Sequence, residues 1–233
     1  MREIYVSLPL GYDTMTQQPP VIYLLDRESR FNVSQGIIRY AQYSAMVPPA
    51  IVVGLVNKSR EERTLYYLPE EGSTPDVFLQ HLAEEVIPYI DSAYSNNGSR
   101  YLIGHSHGAV FTLYALLHQP ELFRGYLASD PSVKFLIEPA TELLQEEYDG
   151  QRLYFSSTDV VYGYAEEIKA DIHKDQATFV DLLRQRAPEG LAVGIDHVSD
   201  DHGNGYVAGL SLGLRYLFFG WLRPQSATAG TND

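Results

Sequence analysis

The chain contains no cysteine, one tryptophan and three methionines in 233 residues. The missing cysteines exclude disulfides, a thiol nucleophile and every thiolate metal site, and they leave the redox compartment open. Basic residues are scarce as well. Seventeen Lys and Arg stand against 30 Asp and Glu, giving a formal charge of −13. A surface of that sign repels phosphate backbones and anionic membranes, so neither nucleic acid nor lipid is expected as a partner. Long apolar runs are also lacking. A membrane-spanning helix needs roughly 20 apolar residues. The nearest candidate, residues 210–222, is shorter and is interrupted by Arg215. Met1 leads straight into the strand-like Arg2-Glu3-Ile4-Tyr5-Val6 without a charged-then-apolar leader. A cytoplasmic location is the expectation, or a periplasmic one if a signal has been removed.

What is present reads as a globular enzyme-sized domain. Apolar residues make up 45% of the chain, enough for a real core. Short apolar runs at 4–8, 21–25, 50–56, 100–104, 125–129, 153–157 and 191–198 read as strands, several of them covered on both faces. Helical patterns lie between them at 75–94, 107–118, 165–186 and 205–222. The segment at Pro75 has a clear start, with Thr74 as N-cap, Pro75 at the first helical position and Asp76 in the first turn. Pro88 is expected to bend it. Alternating strands and helices imply an α/β fold with a mostly parallel sheet covered on both faces. The expectation is one domain over 1–224, with a frayed, small and polar tail at 225–233. Eighteen tyrosines are many; most are expected as packing residues with a wet hydroxyl, some as pocket lining.

The sharpest local signal is Gly104-His105-Ser106-His107-Gly108, a G-x-S-x-G sequence. Such an elbow sets a serine on a tight strand-to-helix turn, where the flanking positions have no room for a β-carbon. Strand-like Tyr101-Leu102-Ile103 precedes it and helix-like residues 109–117 follow, which is the context the motif requires. Ser106 is therefore the candidate nucleophile. Among seven histidines, His202 is the candidate base. It sits in Ser199-Asp200-Asp201-His202-Gly203-Asn204-Gly205, a loop after the last strand and at the elbow's edge of the sheet. It also follows the order Ser, acid, His. His197 falls inside the last strand and reads as a core or edge residue. His81 and His173 read as solvated helix positions, and His118 as a helix-end cation.

A triad acid should follow the strand at 153–157, which makes Asp159 the first choice and Asp171, Asp175 and Asp196 its rivals. His105 and His107 flank the serine. A metal reading of this His-x-His, with Asp200 or Asp201 as further ligand, has no dense ligand cluster behind it. Both histidines read instead as neighbours of the elbow that pack or face the pocket. The N–H of His107, directly after the nucleophile, supplies one oxyanion donor.

With these segments in place the chain resembles the esterase family that includes enterochelin and salmochelin esterases, S-formylglutathione hydrolases and mycolyltransferases, within the α/β-hydrolase superfamily. The resemblance rests on residues 2–9 with Gly11-Tyr12-Asp13, on Val21-Ile22-Tyr23-Leu24-Leu25-Asp26, and on Ile51-Val52-Val53-Gly54-Leu55-Val56-Asn57. It continues in Glu84-Glu85-Val86-Ile87-Pro88-Tyr89-Ile90, the elbow, and Asp201-His202-Gly203. It implies hydrolysis of a carboxylic or thio-ester through an acyl-enzyme on Ser106, with His202 as general base and no cofactor. It also implies that the second oxyanion donor is the N–H of Glu28. The family usually has Gly where Arg27 stands, and Leu and Gly where His107 and Ala109 stand. It usually carries more chain before the Arg2 strand, so an early sheet edge is expected to be open to self-association into a homo-oligomer. The implied partner is a small-molecule ester. An acyltransferase, or a non-catalytic binding domain on the same scaffold, is the alternative.

Overall fold

The computed structural model describes residues 3–144, 147–160 and 165–221. Seven strands form one sheet: β1 (Ile4–Ser7), β2 (Val21–Leu24), β3 (Ile51–Leu55), β4 (Arg100–His105), β5 (Gly125–Ser129), β6 (Gln151–Val160) and β7 (Leu191–Asp201). Their spatial order is β1-β3-β2-β4-β5-β6-β7. Only β1 runs antiparallel, against β3; every other pair is parallel. This is the α/β-hydrolase arrangement. Each expected strand is found, and β6 and β7 run several residues longer than the apolar runs suggested. β6 starts two residues earlier, at Gln151, and the residues added at the carboxyl ends include the polar Thr158, Asp159, Ser199, Asp200 and Asp201, which carry no apolar signal.

Helices cover both faces. One core joins α1 (Arg27–Tyr43) and α8 (Gly205–Leu217) to the sheet through Phe31, Ile38, Tyr206, Leu210 and Leu214. The larger core lies on the other face. It is filled from α2 (Arg60–Tyr67), α3 (Pro75–His81), α4 (Ile87–Ala93), α5 (His107–His118), α6 (Ile137–Leu143) and α7 (Glu166–Arg186). Phe78 and Phe111 meet edge-on at 4.9 Å, with Tyr67 at 5.5 Å from Phe111. Such pairs add about 0.5–1.5 kcal/mol beyond their burial.

Three helices escape the sequence pattern: α1, α2 and α6. In α1 the buried positions are Phe31, Ser34, Ile38 and Ala41. Their spacing is helical, but a serine and an alanine dilute the apolar stripe. In α2 only Tyr67 is buried. The helix at 75 begins with Thr74 and Pro75 as expected, although the Thr74 hydroxyl makes no capping hydrogen bond. Pro88 does disturb that segment. A π-helical turn, Leu82–Val86, stands between α3 and α4 just before it. Proline has no N–H for the α-helical ladder, and the widened turn absorbs the defect. No helix among the described residues is long and apolar enough to cross a membrane. The tail at 225–233 lies outside the described residues.

Candidate active site

Four non-glycine residues among those described have positive φ, and three stand at the carboxyl ends of central strands: Asp26 after β2, Ser106 after β4 and Asp130 after β5. Non-glycine residues avoid this region unless their surroundings hold them there, and such strain collects at functional sites. Ser106 has φ 57° and ψ −123° between the last residue of β4 and the first of α5. The elbow is closed by absent side chains. A β-carbon on Gly104 would lie 2.2 Å from the Gly108 carbonyl oxygen, and one on Gly108 would meet Asp26 Oδ2 at 3.1 Å. The Ser106 N–H is fixed by the Ser129 carbonyl at 2.9 Å.

His202 follows β7 directly. Its Nδ1–H donates to Asp130 Oδ2 at 2.6 Å. Asp130, and not Asp159, is therefore the carboxylate at this histidine. Its side chain is 1% exposed. Thr158 donates to it through both N–H and Oγ–H, and Gln176 from α7 donates at 2.9 Å. Burial pushes the Asp130 carboxyl up, but the donors from His202, Thr158 and Gln176 outweigh it and hold it below the usual carboxylate range. Asp159 points elsewhere. It is 48% exposed and accepts from Nε2 of His197 at 2.5 Å, while Nδ1 of His197 meets Ser157 Oγ at 2.9 Å. The reason is the pleat: β6 residues alternate faces, so Thr158 and Asp159 turn to opposite sides of the sheet. Asp196 lines the same outer cleft as Asp159 and His197. Asp201 instead caps its own loop, accepting from the N–H groups of Gly203 and Asn204. His81 and His173 are more covered than expected: His81 pairs with Glu85 at 3.1 Å, and Nε2 of His173 is buried.

The loop after β2 lies beside the elbow. Asp26 is buried and binds Arg63 of α2 through two hydrogen bonds, at 2.6 and 2.7 Å. Arg63 also donates to the His105 carbonyl at 3.2 Å, so one guanidinium ties this loop to the end of β4. Arg27, where the family usually has glycine, turns away and stacks 3.4 Å over the Tyr5 ring. Glu28 is in the first turn of α1, where main-chain N–H groups lack helical partners. Its carboxylate accepts the Asn57 N–H at 2.6 Å. Burial raises that carboxyl, and hydrogen bonds from its own N–H and that of Asn57 pull the other way. His107, first residue of α5, likewise has an N–H with no helical partner. Burial, followed by Arg63, lowers its imidazole to about 4, so the side chain stays neutral.

A cleft of about 520 Å³ opens over the elbow, lined by Ser106, His107, Asp130 and His202 with Leu68, Phe135, Ile168 and Ile172. Lys134, Asp171, Lys174 and Asp175 are also in its wall. Among the described residues no hydrogen bond joins Ser106 Oγ to His202, although they share this cleft. Catalytic hydrogen bonds often tighten only when substrate is present.

Residues 1–174 match the family model described as "Putative esterase". The chain belongs to that family. Among its esterase-family relatives is the ferri-bacillibactin esterase BesA of Bacillus subtilis, 30% identical over 149 residues, which are 54% of this chain and 49% of BesA. The siderophore triacetylfusarinine C esterase of Aspergillus fumigatus is 28% identical over 148 residues, 56% of this chain and 51% of the relative. The chain thus spans about half the length of these curated relatives (49% and 51%). Among solved structures, an IroE-like serine hydrolase from Shewanella oneidensis superposes with a TM-score of 0.81 at 25% identity, over 93% of this chain and 75% of the other. The siderophore hydrolase EstB of Aspergillus nidulans shares the fold, with a TM-score of 0.79 at 22% identity over 95% and 92% of the two chains.

Sequence reasoning missed Asp130, Arg63 and Gln176. Ser129-Asp130-Pro131 did offer a signal, an aspartate at the very end of a central strand. That strand is β5, whereas Asp159 belongs to the next strand along the chain, β6.

Proposed function

We propose that the protein is a serine esterase that hydrolyses a carboxylic ester through an acyl-enzyme on Ser106. The observation that carries this reading is the strained Ser106 elbow sharing one cleft with His202, whose Nδ1–H donates to the buried Asp130. Asp130 fixes the tautomer in which Nε2 of His202 is the bare, basic nitrogen. That nitrogen takes the proton of Ser106 as Oγ attacks the ester carbonyl. The negative charge that develops on the carbonyl oxygen is met by the N–H of His107 and the N–H of Glu28. The latter must leave its own carboxylate to reach substrate, a step that Asn57 assists by keeping that carboxylate bound. His202 then protonates the departing alcohol, and a water molecule activated by the same nitrogen releases the acid. No step needs a cofactor.

The substrate we propose is an ester bond of a siderophore, the substrate class for which the matching relatives are named. Apolar Phe135, Ile168 and Ile172 line the cleft, which suits an aromatic acyl group, while Lys134 and Lys174 in its wall are balanced by Asp171 and Asp175. The test is turnover of ferric siderophore triesters beside p-nitrophenyl esters of rising chain length, with products identified by mass spectrometry. Cleavage of the siderophore ester at a kcat/KM above that of every simple ester is expected. Turnover of neither class contradicts the esterase reading, and turnover of simple esters alone contradicts the substrate.

A further inference from the structure

His105 immediately precedes the candidate nucleophile and is 2% exposed, yet the reaction above does not use it. Its Nε2 lies 2.7 Å from the main-chain carbonyl oxygen of His202. A carbonyl only accepts, so Nε2 carries the proton and donates. In the neutral ring Nδ1 is then an acceptor, and it faces the Arg30 guanidinium at 3.5 Å, a group that only donates. Both neighbours therefore select the same tautomer. Arg30 comes from α1 and lies 5.0 Å over the ring of Tyr206 from α8. The Tyr206 hydroxyl is hydrogen-bonded to Ser34 of α1 at 2.6 Å, and its ring meets His105 edge-on at 5.1 Å. The His105 and His202 rings are 4.4 Å apart.

We propose that His105 is a positioning residue, whose Nε2–H grips the main chain of His202 so that the base is held at two points. Asp130 holds the imidazole through Nδ1, and His105 holds the backbone that carries it. The proposal rests on the reading of His202 as the base. A loop histidine held only by its ring could pivot about that one hydrogen bond, and a misplacement of about 1 Å can cost about 10²-fold in rate. The arrangement requires a neutral His105, because a second proton on Nδ1 would confront Arg30. The charged and titratable groups around it are Arg30 from α1, Arg63 from α2 on its carbonyl, His202 from its loop, Asp130 from the end of β5 and the phenol of Tyr206 from α8. Burial, then Arg30, then His202 lower the imidazole to about 3, so the tautomer persists across neutral pH.

Three variants separate gripping from filling. His105→Gln keeps an amide N–H near the reach of Nε2. His105→Asn is too short to reach the His202 carbonyl, and His105→Leu fills the space without a donor. Each is measured for kcat, KM, urea midpoint and rate of Ser106 phosphonylation by a fluorophosphonate. We expect the Asn and Leu variants to lose about 10–100-fold in kcat and in phosphonylation rate, with KM within about threefold. The Gln variant recovers most of the loss. The Gln and Asn pair decides the matter even if the Leu variant does not fold. Equal rates for Gln and Asn, or a lowered midpoint with wild-type rates for the folded fraction, overturn the proposal. A wild-type protein that is neither labelled nor active would overturn instead the reading of Ser106 and His202, and this proposal with it.

Discussion

Asp130 and Asp159 differ by more than position. Asp130 is buried, accepts four hydrogen bonds and contacts His202; Asp159 is half-exposed and contacts His197. Removing the charge of Asp130 should leave His202 free to take the wrong tautomer. Asp130→Asn is expected to lose on the order of 10⁴-fold in kcat, and Ser106→Ala on the order of 10⁶-fold. Asp159→Asn should stay within about threefold of wild type, since an exposed His–Asp pair contributes little. Steady-state kinetics on one p-nitrophenyl ester measures all three. An Asp159→Asn loss as large as that of Asp130→Asn would contradict the assignment. The placement of Ser106 and His202 in one cleft was legible in the sequence because each sits in a local pattern, the glycine-flanked turn and the glycine-rich loop. Asp130 carried only a weak signal, an aspartate at a strand end, since the choice among aspartates depends on which strand end faces the histidine and on the pleat of β6.

At the scale of elements, the elbow works only because β4 and α5 approach closely. A β-carbon on Gly104 would overlap the Gly108 carbonyl and press on Thr112 Oγ1 at 2.6 Å. Gly104→Ala should therefore destabilise the fold by about 1–3 kcal/mol, read from urea unfolding. An unchanged midpoint would mean that the turn is looser than described. The seven strands and the helices at 75, 107, 165 and 205 could be read from hydrophobic runs and period. The helices α1, α2 and α6 could not, because they bury few apolar side chains or substitute serine and alanine in the stripe. That gap matters for the site: α1 carries Arg30, which faces the His105 ring, and α2 carries Arg63, which binds Asp26 and the His105 carbonyl. The long helix α7 was visible in the sequence, but its Gln176 contact with Asp130 is a product of tertiary packing alone.

For the whole molecule, buried histidines set the response to acid. His105 and His107 have imidazoles lowered to about 3 and about 4 by burial. The unfolded chain binds protons on both near pH 6.5, whereas the folded chain refuses them until far lower. Stability present above pH 6.5 is therefore lost as pH falls toward 4 and then 3, by at most about 1.4 kcal/mol per pH unit for each site. Asp130, held low in the folded state, adds to the loss in the same direction below the carboxylate range. The urea midpoint should be flat above about pH 7 and should fall steadily below 6.5, with a shallower slope in His107→Leu. A midpoint that is flat down to pH 5 would contradict the buried, neutral state of these rings.

Ser106, His202 and Asp130 are expected to act as one unit at the carboxyl edge of the sheet. Fluorophosphonate labelling with peptide mapping tests it most directly, in the wild type and in His202→Ala, Asp130→Asn and Asp159→Asn. A single label on Ser106 is expected, with its rate lost in the first two variants and kept in the third. A label on another residue, or a wild-type labelling rate in Asp130→Asn, would contradict it.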